Sequence, residues 1–272
     1  MNRRKHLSAA KLTDGIWSGI DAAGVARLEI DRPAQMNALD GPASRRIIEV
    51  CDQWATDPAV RVVVLSGRGG AFCAGADVAG MATEAATKGG FDGDDSRAII
   101  ENGSQLVGAV RALPMPVVAA VDGAAVGIGA SLAVGADLIY ATARSYFLLA
   151  FVNIGLMPDG GASATFAASI GRARANAMAL LGQKLSAAEA LESGLLNEVV
   201  EEEQALDAVV GRVTTRLCRA SAPALALTKA ALDGASLDQY DAAIGREIAG
   251  QAELLQSPQF QAALAAFTSG QR

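Results

Sequence analysis

Apolar positions follow two spacings along this chain, and strand and helix signals alternate through the first three quarters of it. Residues 25–30 (VARLEI) repeat with period two, the mark of a half-buried strand, and Asp31 to Pro33 end the run. Residues 41–54 carry helical spacing at Ile47, Ile48, Cys51 and Trp54, and Asp57 with Pro58 breaks it. Residues 60–65 are β-branched with little polar alternation, which predicts a strand buried on both faces. Residues 67–75 then read as a glycine-rich loop, and 87–95 as the most loop-like, mobile stretch of the chain.

The pattern continues with a strand over 117–121, a small-residue turn over 123–129, a helix over 130–135 and a strand over 137–142. Helical spacing covers 160–170 and 172–181. Ser186 and Glu189 form a capping-box pair opening a short helix that stops at Gly194, and 195–200 is the last strand. From Glu201 the signals are helical. Tyr240, Ile244, Ile248 and Leu255 fall on one helix face, and Pro258 starts a further short helix. The chain therefore reads as a β/α core over residues 1–201 and a helical region over 202–272, with no linker between them.

Composition narrows the picture. Of 272 residues 51% are apolar but only 4% aromatic, so the core is built from Ala, Val, Leu and Ile. A formal charge of −6 argues against a general nucleic-acid surface, and the basic cluster Arg3, Arg4 and Lys5 reads as a solvated tail. No apolar run reaches the roughly 18 residues that span a bilayer, and the N-terminus lacks a signal-peptide core; a cytoplasmic protein is expected. Cys51, Cys73 and Cys218 stand in no metal-ligand spacing and read as buried reduced thiols. The one histidine, His6, lies in the basic tail, which argues against a Ser-His or Cys-His nucleophile and against a histidine metal site.

The candidate chemistry lies in 119–161. A strand feeding a glycine turn and then a helix leaves unpaired backbone N–H groups where negative charge can be held. Gly127 and Gly129 fail as a dinucleotide fingerprint because Leu132 stands at the third glycine position and no acid follows at a second strand end.

Five ordered blocks resemble the crotonase family of enoyl-CoA hydratases and isomerases: 30–39 (IDRPAQMNAL), 70–77 (GAFCAGAD), 116–129 (PVVAAVDGAAVGIG), 155–161 (GLMPDGG) and 185–200 (LSAAEALESGLLNEVV). The resemblance implies an α/β fold, a ClpP-like spiral of ββα units, with a C-terminal helical region used in forming a homotrimer or dimer of trimers. It implies acyl-CoA thioester substrates, with no separate cofactor and no metal. It implies that the backbone N–H groups of Ala76 and Ile128 form the oxyanion hole. It implies that Ala34, Gln35 and Met36 contact coenzyme A, with Ala74 and Asp77 along the acyl entry. The family's basic pair after the final Ala-Phe is missing here, where Phe267 is followed by a tail ending in Arg272.

Family hydratases carry two glutamates where this chain has Ser131 and Phe151. Both positions line the acyl site by resemblance, and without their acids two-carboxylate hydration is expected to be weak or absent. The remaining acid is Asp159, and the 147–161 segment looks most like the isomerase branch, which includes 1,2-epoxyphenylacetyl-CoA isomerase and Δ3-Δ2 enoyl-CoA isomerases. Its local sequence reads equally as a helix N-cap, a role that opposes basicity. Three functions stand: an isomerase using Asp159, a weak or specialised hydratase, and a non-catalytic CoA-binding scaffold.

Overall fold

The period-two run and the β-branched run that follows it are neighbouring strands of the larger of two sheets. In a computed structural model that describes residues 7–268, β1 (Leu7–Thr13), β2 (Ile16–Asp21) and β3 (Val25–Ile30) pair antiparallel, and β3 pairs parallel with β4 (Val62–Gly67). His6, the basic cluster before it and Arg272 lie outside the described residues. Helix α1 (Gly41–Ala55) makes the crossover between β3 and β4, opened by Asp40, whose side chain accepts from the Ala43 N–H at 2.8 Å. All of β4 is buried, as its composition predicts.

A ββα unit then repeats. β5 (Ala71–Cys73) leaves for the second sheet, followed by α2 (Val78–Lys88) and α3 (Gly93–Arg111). β6 (Val117–Val121) returns to the large sheet, β7 (Ala124–Val126) joins the small one, and α4 (Ile128–Val134) follows. β8 (Leu138–Thr142), β9 (Tyr146–Leu148), a 3-10 helix (Ala150–Ile154) and α5 (Ala162–Ile170) make the third turn. After α6 (Arg172–Leu181), β10 (Leu185–Ser186), α7 (Ala187–Glu192) and β11 (Glu198–Val200) the sheets run β1-β2-β3-β4-β6-β8-β11 and β10-β9-β7-β5. This is the ββα spiral that the resemblance implies.

Two expected loops hide strands. The stretches 67–75 and 123–129 contain β5 and β7, which pair parallel through Ala71 with Ala124 and Cys73 with Ala125. Three residues, Ala-Phe-Cys in β5 and Ala-Ala-Val in β7, are too few to show a period. The stretch 87–95 is also mostly helical: only residues 89–92 separate α2 from α3. Asp92 caps α3 by accepting from the Asp95 N–H at 2.8 Å, and Lys88 sits 2.8 Å from both Glu84 and Asp95. Those aspartates mark a helix start, where acids favour the dipole.

The helical region packs back on the core. α8 (Glu203–Arg219) lays Leu206, Val209 and Val210 against Val62, Val64 and Val118 of the large sheet. α9 (Ala222–Ser236) follows, then α10 (Tyr240–Leu254), which packs on α3 and α5. α11 (Pro258–Thr268) brings Phe260 and Leu264 to Ala82, Ala85 and Phe91. Of the expected face, Leu255 is fully buried, but the rest of the buried face of α10 differs. Ala243, Glu247 and Gln251 are buried, while Tyr240, Ile244 and Ile248 are half-buried. Cys51 and Cys73 are buried, their thiols pushed up to about 12 by burial. No helix among the described residues is long and apolar enough to cross a membrane.

Candidate active site

Asn37 organises the first wall of the site. It is fully buried with φ 61°, and its Oδ1 accepts from the Arg32 N–H at 2.9 Å. Its Nδ2 donates to the carbonyls of Arg68 (2.8 Å) and Ala71 (2.7 Å), tying this loop to β5. The chain beyond forms a parallel bridge between Leu39 and Ala76, in which Leu39 N–H donates to Gly75 and Asp77 N–H to Leu39. The N–H of Ala76 has no partner among the described residues.

The start of α4 supplies a second free donor. The N–H groups of Ala130 and Ser131 turn back to the carbonyl of Gly127, and that of Ile128 has no partner among the described residues. The two segments approach closely because both are glycine there. A Cβ on Gly75 (φ 101°) would stand 2.9 Å from the Val126 carbonyl, and one on Gly127 would stand 3.9 Å from the Gly75 Cα. Ala76 and Ile128 both line a cavity of about 560 Å³, together with Leu39, Met81, Leu106 and Asp159.

Asp159 is buried at 8% exposure. It does not cap the helix that follows. Glu247 of α10 does so: its Oε2 accepts from the Gly161 N–H (2.7 Å) and its Oε1 from the Ser163 N–H (2.9 Å) and hydroxyl (2.5 Å). The Asp159 carboxyl is thereby released from the cap that local sequence suggested. Its Oδ2 accepts from Gln251 Nε2 at 3.3 Å, and its Oδ1 has no partner among the described residues. Burial, with the nearby Glu247 charge adding to it, pushes its pKa from an ordinary 3.8 to about 7, and the Gln251 hydrogen bond opposes the rise.

The other acids that line the cavity are occupied. Asp40 caps α1 and pairs with Arg32 at 2.7 Å, and Asp77 caps α2 by accepting from the Gly80 N–H at 3.0 Å. Glu84 and Asp95 share Lys88. Outside the cavity, Asp137 accepts from the Val117 N–H and pairs with Lys229, while Asp122 pairs with Arg144 and Thr142.

Ser131 and Phe151, expected along the acyl chain, are both buried beside the start of α4. Ser131 is fully buried and its hydroxyl donates to the Asp159 carbonyl at 2.8 Å, holding that segment against α4. Phe151 is buried with its ring beside Gly127. Ala34 and Gln35 are exposed and Met36 is 54% exposed, on the turn that leads through Asn37 to Leu39. Ala74 is half-buried and donates its N–H to the Met36 carbonyl at 3.0 Å. Sequence reasoning missed Asn37, Glu247 and Gln251. The last two lie four residues apart on α10, a stripe visible in the sequence with nothing local to say that it is buried.

Comparison with known proteins accounts for this arrangement. A family model described as enoyl-CoA hydratase/isomerase matches residues 21–271. The chain is 36% identical to a "Probable enoyl-CoA hydratase" of Rhodobacter capsulatus, over 90% of this chain and 91% of that protein. It is 33% identical to the 1,2-epoxyphenylacetyl-CoA isomerase of Escherichia coli, over 82% of this chain and 84% of the relative. Among solved structures, an enoyl-CoA hydratase from Mycobacterium avium subsp. paratuberculosis superposes with a TM-score of 0.85 at 40% identity, covering 94% of this chain and all of that one. The chain belongs to the enoyl-CoA hydratase/isomerase family, the crotonases.

Proposed function

We propose that this protein is an enoyl-CoA isomerase that works through a thioester enolate with Asp159 as its single acid/base. The observation that carries the reading is Asp159 itself. It is the buried acid of the cavity, released from capping by Glu247, with a pKa near 7 and one oxygen unpartnered among the described residues. A base works best when its pKa lies near the working pH. In the proposed reaction the N–H groups of Ala76 and Ile128 receive the thioester oxygen. Asp159 takes the proton from the α-carbon of a 3-enoyl thioester, the electron pair spreads onto that oxygen, and the double bond moves as the proton returns at the γ-carbon. Each oxyanion donor is worth ~3 kcal/mol of transition-state stabilisation.

On this reading coenzyme A lies over Ala34, Gln35 and Met36, and the acyl chain passes Ala74 and Asp77; no separate cofactor takes part. The proposed assembly is a homotrimer or a dimer of trimers. The exposed face of α9 supports it, since Leu227 and Leu232 are 73% and 64% exposed and no residue of that helix is buried.

A hydratase reading is favoured by the names of several relatives, including the one from Rhodobacter capsulatus. Against it, hydration is served by a second carboxylate, and Ser131 and Phe151 occupy the two positions where family hydratases carry glutamate. One comparison separates the readings: rates on a 3-enoyl-CoA and on a 2-enoyl-CoA, for the natural protein and for Asp159→Asn. Isomerisation that greatly exceeds hydration and falls ~100-fold or more in the variant supports the proposal. Dominant hydration favours the hydratase, and no turnover of either thioester favours a non-catalytic binder.

A further inference from the structure

The proposed proton transfer uses Asp159 and leaves the buried polar face of α10 half explained. Faces that pack on a core are ordinarily apolar, yet α10 buries Glu247 and Gln251 completely. Glu247 has its capping duty. Gln251 caps no helix. Its amide reaches Asp159 Oδ2 through Nε2, and its Oε1 has no partner among the described residues. A buried acceptor left without a partner is destabilising, so an apolar side chain of the same length would pack there at lower cost. The amide orientation is dictated by the carboxylate, since the opposite one would set two acceptors against each other.

The Gln251 bond also distinguishes the two oxygens of Asp159. Oδ2 already accepts an N–H and can go on accepting it whether the carboxyl is ionised or protonated. Oδ1 is unpartnered among the described residues, so it is the better seat for a proton. We infer that Gln251 is a positioning residue for the isomerisation: it fixes Oδ2 of Asp159 in both protonation states and leaves Oδ1 to take the α-proton and return it. The inference rests on Asp159 being the acid/base.

The charged group that faces this pair is Glu247 of α10, beside Asp159; Arg111, at the end of α3, lies over the Tyr240 ring at 4.4 Å and pairs with Asp233 at 3.1 Å. Ser131 of α4 bonds the Asp159 carbonyl and Ser163 of α5 bonds Glu247, and both are uncharged. Across the cavity stand Asp40, Arg45, Asp77, Glu84 and Asp95.

The test uses the full-length protein and two readouts. The Asp159 carboxyl is titrated by carbon NMR without substrate, its signal identified by its loss in Asp159→Asn, and the pH profile of 3-enoyl-CoA isomerisation is measured beside it. Gln251→Met keeps the length and removes both polar ends. Its carboxyl titration and the acid limb of its rate profile should both move up by about one pH unit, because the lost hydrogen bond is stronger to the ionised form than to the protonated one. At pH 7 kcat should fall about fivefold with KM unchanged, since less of Asp159 is then ionised. Gln251→Asn, whose amide is one methylene short, should move the same way and serves if Gln251→Met does not fold. A carboxyl titration that stays in place overturns the inference whatever the activity. A titration that moves while Asp159→Asn still isomerises at full rate overturns the catalytic role of Asp159, and with it the positioning role of Gln251.

Discussion

Asp159 holds its proton more tightly in the fold than in the unfolded chain, and this makes a stability prediction independent of catalysis. Its folded pKa is about 7 against an ordinary 3.8. Below pH 4 both states are protonated and the residue is neutral to stability. Between pH 4 and 7 the unfolded chain ionises while the fold resists, so stability falls with rising pH, by ~4 kcal/mol at most. Asp159→Asn should therefore be more resistant to denaturant than the natural protein at pH 8 and gain little at pH 4. An equal difference at the two pH values would mean that the carboxyl is not held in its neutral form. Little of this was legible locally. Pro158, Asp159, Gly160 and Gly161 read as the opening of a helix, and only a contact with Glu247, 86 residues away from Gly161, takes the cap from Asp159.

At the scale of elements, α5 is capped by another helix. Contrast α7, where Ser186 and Glu189 cap each other within three residues; that box was plain in the sequence. The cap on α5 comes from α10, so no window of sequence contains both partners. Two substitutions separate its mechanical from its electrostatic part. Glu247→Ala should destabilise the fold by ~2 kcal/mol in denaturant unfolding, leaving the Gly161 and Ser163 N–H groups unpaired. Glu247→Gln keeps acceptors for part of the cap but removes the charge beside Asp159. The acid limb of its isomerisation profile should move to lower pH, because that charge raises the Asp159 pKa. An acid limb that moves upward, or not at all, would show that the charge does not tune the carboxyl. The short strands β5 and β7 escaped the sequence for a different reason. Each has three residues, and parallel pairing across a spiral turn leaves no local mark. The β-branched run of β4, buried on both faces, was legible because its composition alone excludes water.

For the whole molecule, the division at residue 201 is one of sequence pattern more than of structure. α8 covers the large sheet, α11 covers α2, and α10 reaches the carboxyl at the centre of the candidate site. The five ordered blocks, four of them bearing glycine, made the family legible, because close approach of backbones requires glycine at fixed places such as Gly75 and Gly127. The support from α10 was not legible, since it depends on how a helix far along the chain folds back. These parts meet in one claim, that Asp159 removes an α-proton while Ala76 and Ile128 hold the enolate oxygen. The most direct measurement is solvent-deuterium exchange at the α-carbon of a saturated acyl-CoA, followed by proton NMR in the natural protein and in Asp159→Asn. Catalysed exchange is expected in the first, falling ~100-fold or more in the second. Exchange that continues undiminished in Asp159→Asn, or no exchange in the natural protein, would refute that role for Asp159.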